Sequence, residues 1–187
     1  MNLSPTSLPG VLLLQPRRFG DHRGFFEETW SAKALALQGL DCAFVQDNHS
    51  YSSEQGTLRG LHFQAPPHAQ AKLVRCSRGA IFDVAVDIRR GSPTYGQWAG
   101  AELSRDNGLQ MFVPEGFLHG FMTLEADTEV QYKCSDYYAP ECDGGVAWDS
   151  LGIPWPLKAL VPVLSEKDAK ALPFSEFQSP FSYESVP

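Results

Sequence analysis

"GAIFDVAVDIRRGSPTYGQW", residues 79–98, decides the fold class of this chain. Phe82, Val84, Val86 and Ile88 alternate with Asp83, Ala85, Asp87 and Arg89, the period of two that sends successive side chains to opposite faces of a strand. The pattern predicts a half-buried strand that ends at the Gly-Ser-Pro turn of residues 91–93. Further strands are predicted at 43–46, 58–63, 72–76, 97–103, 109–113, 118–124 and 128–134. Short strands so spaced, with no recurring strand-helix-strand unit, predict an all-β sandwich or small barrel. Two short segments read as helix: 31–39, with Ser31 as cap and Gly39 as stop, and 165–172, capped by Ser165.

The 187 residues fit one domain with a core of its own. Pro154, Pro156 and Pro162 make the tail an extended segment, so we expect a single domain over 1–187 in which residues 150–187 wrap the barrel. Aromatic residues at 12%, 16 glycines and 14 prolines suit strands and turns. A net charge of -7 argues against a nucleic-acid partner, whose footprint is a basic stripe, yet a few converging cations still suffice for a small anion. No apolar run is long enough to span a bilayer, and "VLLL" is too short for a secretion signal, so the expected compartment is the cytoplasm. Cys42, Cys76, Cys134 and Cys142 lack C-x-x-C spacing and are expected as reduced thiols.

Phosphate-cradling, dinucleotide-binding, serine-hydrolase and H-E-x-x-H motifs are all missing from the sequence. What remains is "TLRGLHFQ", residues 57–64, with His62 among apolar and glycine neighbours. Taken by itself, His62 is a metal ligand, a packed core residue or a base. A metal site on a strand favours two histidines two residues apart, and Gln64 stands where the second would be, although His62 and His119 with a carboxylate from elsewhere keep that reading open.

"GLQMFVPEGFLHGF", residues 108–121, has the G-x5-P-x-G-x-x-H form of the second cupin signature, and "HFQ" stands where the first signature carries its paired histidines. The chain therefore resembles a cupin jelly-roll barrel with part of the metal site gone. "FGDHRGFFEETW", "FVQDNHSYSSEQGTLRGLHFQAPPHAQAKLVRC", "VPEGFLHGF", "VQYKCSDYYAPECDGGVAW" and "LSEKDA" follow in the order and spacing of the dTDP-4-dehydrorhamnose 3,5-epimerase family. This resemblance covers residues 10 to 172. It implies an all-β cupin jelly roll with a few short peripheral helices, and no metal or organic cofactor. It further implies a dTDP-sugar substrate and a homodimer, and leaves open whether Arg23 and Glu28 serve their own chain's site or the neighbouring one.

Inverting carbons 3 and 5 of a 4-keto sugar requires a base, a donor for the enolate oxygen and an acid on the opposite ring face. His62 is the candidate base, since imidazole is half ready near neutral pH; each unit of pKa mismatch with the carbon acid costs about 1.4 kcal/mol. Lys72 or His119 is the candidate donor. Tyr132, on one face with Val130 and Cys134, is the candidate acid, and Lys72 similarly alternates with Val74 and Cys76. Without the resemblance, Tyr132 reads as an ordinary core tyrosine.

Asp168 matches the family's carboxylate that holds the base in one tautomer, but "SEKD" is also a helix-start capping pattern, and both readings stand. The resemblance adds Phe19, Arg23, Phe26, Glu28, Gln46, Asn48, Arg59, Lys72, His119, Tyr138, Asp143 and Lys167 as substrate contacts, with aromatic rings around the thymine and arginines at the diphosphate. Strict alternation puts Arg59 opposite His62 unless Gly60 makes a bulge. Gly144 departs from the family, which commonly carries Arg there. An epimerase acting at one carbon only, a metal-dependent oxygenase and a non-catalytic nucleotide-sugar binder are the alternatives.

Overall fold

The computed structural model describes residues 1–183, and positions 184–187 of the expected wrapping segment lie outside the described residues. The strands are β1 (Asn2–Pro5), β2 (Leu12–Gln15), β3 (Arg18–Asp21), β4 (Gly24–Glu27), β5 (Gln46–Ser52), β6 (Leu58–Gln64), β7 (Lys72–Arg78), β8 (Ala80–Asp87), β9 (Trp98–Ser104), β10 (Gln110–Val113), β11 (Phe117–Thr123), β12 (Thr128–Cys134) and β13 (Asp143–Gly145). Two short helices, α1 (Ala32–Ala36) and α2 (Glu166–Ala169), complete the main elements.

The strands form a six-stranded sheet in the order β1-β2-β10-β7-β12-β5 and a five-stranded sheet in the order β13-β6-β11-β8-β9. The β3–β4 hairpin pairs only with itself. Val74, Met111 and Val130 of the first sheet pack against Ile81, Ala85 and Phe121 of the second, which makes a jelly-roll sandwich with its core between the sheets. Both outer faces are covered as well. Leu14, Leu73 and Phe112 pack under Leu35 of α1 and under Trp30 and Phe44, while Leu58, Val84 and Met122 pack under Val146, Ile153, Trp155 and Phe177.

This double covering corrects the half-buried reading of residues 79–98. Both faces of β8 are buried, and Asp83 and Asp87 lose all exposure because they point between the sheets. Asp87 accepts from Arg89 Nη2 at 2.7 Å, Ser92 Oγ at 2.6 Å and Thr94 Oγ1 at 2.7 Å. Burial alone would raise its carboxyl, but these donors outweigh burial and hold it at about 2. The turn after the strand is thus built around an ionised carboxylate.

Three further expectations shift. The strand expected at 43–46 runs from Gln46 to Ser52 instead, since Phe44 packs edge-on against Trp30 at 6.2 Å as part of the outer cover. β5, at the sheet edge, is polar and carries little apolar pattern. Both helices are shorter than expected, although Ser31 and Ser165 cap them as read. All four cysteines are free. Among the described residues no helix is long and apolar enough to cross a membrane.

Candidate active site

A cavity of about 440 Å³ opens between the sheets and is lined by Arg59, His62, Lys72, His119, Tyr132 and Asp168 among others. It adjoins a smaller lobe of about 170 Å³ that shares His62, Lys72, Tyr132 and Lys167 and adds Gln46, Asn48, Tyr138 and Asp143.

The register of β6 explains how Arg59 and His62 come to line one cavity. His62 pairs with His119, and Arg59 pairs with Phe121, so three steps on β6 span two on β11. The extra residue is a bulge, and it returns both side chains to the inner face while Leu58 and Leu61 stay outside. Gly60 has φ of 127°, and a Cβ there would stand 2.6 Å from the Gly120 Cα. Only glycine fits this crossing of two backbones.

His62 Nε2 lies 2.6 Å from Asp168 Oδ1. The other claim on Asp168 is met without its side chain: Ser165 Oγ caps α2 by accepting the Asp168 backbone N–H at 3.1 Å. The carboxylate is left to His62, with the Gly60 N–H at 3.5 Å from Oδ2. Burial would raise the Asp168 carboxyl, but the His62 contact and the further donors bring it below the ordinary range.

Opposite stands a second pair, which the sequence reading missed. His119 Nε2 lies 2.8 Å from Asp83 Oδ1, deep in the sheet, and Asp83 Oδ2 has no partner among the described residues. Asp83 looked like the solvent face of a half-buried strand. The available signal was Asp83 with Asp87 on one side of an otherwise apolar run. Ser50, also missed, lines the cavity with a buried hydroxyl that has no partner among the described residues.

Lys72 enters from β7 and Tyr132 from β12, with the ammonium 6.0 Å from the ring centroid. Loss of water pulls the Lys72 amine below its ordinary pKa and pushes the Tyr132 phenol above its own. In the smaller lobe Lys167 is ion-paired with Asp143, and the Tyr138 hydroxyl donates to Asp143 Oδ2 at 3.4 Å. Gln46 donates to Asn48 Oδ1 at 3.2 Å. Arg59 donates to the Tyr51 carbonyl at 3.0 Å and reaches the Ser52 hydroxyl at 3.3 Å. Gly144 pairs with Phe63 across the β6–β13 ladder, and a Cβ there would meet the Phe63 ring at 2.5 Å. That ring is packed against Phe177 and Phe181, so a side chain at residue 144 would force it to shift.

Phe19, Arg23 and Phe26 are not brought to this cavity. They sit on the projecting β3–β4 hairpin, and Arg23 is paired with its neighbour Asp21. Glu28 follows the hairpin and is exposed. Among the described residues, no three or more His, Cys, Asp or Glu side chains converge as a metal site.

The arrangement offers an imidazole backed by a carboxylate, a lysine amine whose pKa burial lowers and a phenol whose pKa burial raises around one cavity, which is the equipment for moving protons next to a carbonyl. Residues 5–176 match the family model described as dTDP-4-dehydrorhamnose 3,5-epimerase. A relative of that name from Sinorhizobium fredii is 52% identical over 188 residues, covering 100% of this chain and 96% of the relative. The solved enzyme of that name from Bacillus anthracis, with TDP and PPi bound, superposes with a TM-score of 0.88 at 49% identity, over 92% of this chain and 98% of its own. The solved dTDP-6-deoxy-D-glucose-3,5-epimerase of Legionella pneumophila, in complex with dTDP-4-keto-L-rhamnose, reaches 0.93 at 43% identity, over 98% of this chain and 99% of its own. The chain belongs to the dTDP-4-dehydrorhamnose 3,5-epimerase family.

Proposed function

We propose that this chain is an isomerase that inverts C3 and C5 of dTDP-4-dehydro-6-deoxy-D-glucose to give dTDP-4-dehydro-L-rhamnose. One observation carries the roles of its residues: the 2.6 Å contact between His62 and Asp168 at the wall of a cavity that also holds Lys72 and Tyr132. With Nε2 engaged by the carboxylate, Nδ1 of His62 is the nitrogen left for the substrate, and it takes the proton from the carbon beside the ketone. The C4 oxygen then becomes an enolate. Lys72 and His119 are the groups we assign to it, and a poorly hydrated ammonium is an effective partner for charge that develops in the transition state.

Tyr132 returns a proton from the other ring face. Burial keeps its phenol protonated, which is the form that an acid requires. The smaller lobe, with Gln46, Asn48, Tyr138, Asp143 and Lys167, takes the nucleotide, and Arg59 serves the diphosphate as a planar donor.

We further infer a homodimer. Phe19, Phe25 and Phe26 stand 52%, 44% and 70% exposed on a hairpin whose strands pair only with each other, and such a surface suits a second copy. Arg23 and Glu28 would then serve the neighbouring cavity. The whole chain acts as one unit in this reading, and four free thiols fit a cytoplasmic setting.

The test is proton exchange. The protein is incubated with dTDP-4-keto-6-deoxy-D-glucose in deuterated water, and the C3 and C5 protons are followed by NMR. Loss of both signals with formation of the L-rhamno product is expected. Absence of exchange at either carbon would refute the reading, and exchange at one alone would select a single-position epimerase.

A further inference from the structure

Gln64 stands where a metal cupin carries its second histidine, and the proton chemistry leaves it unused. It is 5% exposed, and every polar group of its side chain is engaged. Its Nε2 donates to the His68 carbonyl and, at 2.9 Å, to the Tyr137 carbonyl, while Oε1 accepts the Ala139 N–H at 2.9 Å. Two carbonyls and one N–H admit only this orientation of the amide. Gln64 thus grips the chain on both sides of Tyr138.

Two other glutamines hold the same loop. Gln46 Oε1 accepts the Tyr138 N–H at 2.9 Å, and Gln70 Nε2 donates to the Asp136 carbonyl at 2.8 Å. The Asp136 side chain adds a contact to the Tyr137 N–H at 2.7 Å and one to His68 Nδ1 at 3.0 Å. Gln46 belongs to β5 and Gln64 to β6, so the grip spans both sheets. Residues 136–139 have no ladder of their own, and side-chain amides supply the hydrogen bonds that a strand would have given. The Tyr138 ring is left 58% exposed beside the smaller lobe.

We propose that Gln46, Gln64 and Gln70 form a cradle that positions Tyr138 against the base of the bound nucleotide, so that the cradle sets nucleotide affinity and leaves proton transfer untouched. This rests on the smaller lobe being the nucleotide end. A ring fixed beforehand loses little freedom when a base stacks on it, whereas a ring on a loose loop must be ordered on binding.

The experiment measures dTDP affinity by calorimetry, together with epimerisation kinetics, for Gln64→Met, Gln70→Met, Tyr138→Ala and the double variant Gln64→Met/Tyr138→Ala. Gln64→Met is expected to weaken dTDP about ten-fold and to raise KM in step, with kcat within about two-fold of wild type. Gln70→Met, which removes one peripheral contact and covers the case of a misfolded Gln64→Met, shifts affinity the same way by about three-fold. The double variant binds dTDP no more weakly than Tyr138→Ala alone, because the cradle acts through that ring. If Tyr138→Ala weakens dTDP while both glutamine variants bind as wild type, the cradle is overturned and the nucleotide reading survives. Losses that multiply in the double variant, or a fall confined to kcat, also overturn it. If Tyr138→Ala itself leaves dTDP affinity unchanged, the reading of the lobe fails and takes the cradle with it. The calorimetric arm stands even if epimerisation is not observed.

Discussion

Two histidine–carboxylate pairs face each other across β6 and β11, and they are built differently. His62 and Asp168 keep side-chain exposures of 30% and 5%, while His119 and Asp83 keep 7% and 0%. The first carboxylate is brought in from α2, 106 residues along the chain; the second stands on β8, which pairs directly with the strand of its histidine. A base must meet substrate and exchange its proton, so it belongs at the open wall with a carboxylate held by several donors. The sealed pair, with one carboxylate oxygen unpartnered, fixes a side chain in place. In the proposed mechanism the open pair is the base, and the sealed pair holds His119 at the cavity wall where the enolate oxygen forms.

Breaking the open pair at the histidine gives the largest effect. His62→Ala is expected to lower kcat for proton exchange by about 10²–10⁴-fold with the fold intact, as read by deuterium incorporation alongside circular dichroism. Exchange at the wild-type rate would remove His62 as the base. Asp168→Asn follows, with a fall on the order of 10²-fold, because an amide can turn its N–H toward Nε2 and leave the ring in the wrong tautomer. A KM change with kcat preserved would instead make Asp168 a mere substrate contact.

The two pairs also show what a sequence discloses. The inward positions of Lys72 and Tyr132 were legible because each alternates with apolar partners on its strand, Val74 and Cys76 for the first and Val130 and Cys134 for the second. The helix cap at Ser165 was legible from its local pattern, whereas the pairing of Asp168 with the base came only from the family resemblance and stood beside the capping reading, since a contact over 106 residues leaves no local pattern. Asp83 was misread because alternation shows that a strand has two faces without telling which is covered; the C-terminal segment supplies the second cover. Gly60 had announced a possible bulge, and only the pairing of His62 with His119 and Arg59 with Phe121 made it definite. The N-terminal strands β1 to β4, four residues each and interrupted by prolines and glycines, carried too short a period to read. Phe19, Arg23, Phe26 and Glu28 matched a family motif, yet sequence alone could not tell a contact within one chain from one supplied by a neighbour.

Stability should reverse the order found in activity. Asp83→Ala strands a buried imidazole nitrogen and is expected to cost about 1–3 kcal/mol in urea unfolding. Asp168→Ala leaves His62 in reach of water and should cost less, below about 1 kcal/mol. Equal losses would mean that the open pair is as structural as the sealed one.

Acid gives the smallest and most specific separation. The Asp168 carboxyl is lower in the folded chain than the ordinary value near 4, so the unfolded chain binds the extra proton and stability rises with pH through this region. Its contribution is complete above about pH 4 and is lost as pH falls through the folded value. Asp168→Asn should therefore flatten unfolding free energy against pH over that window. Asp87, held at about 2 beside the turn after β8, loses its contribution lower, between about pH 4 and 2, and provides the internal control. That part of the acid limb must persist in Asp168→Asn. A variant whose acid limb matches wild type throughout would show that the 2.6 Å contact to His62 adds nothing to the folded state that the unfolded chain lacks.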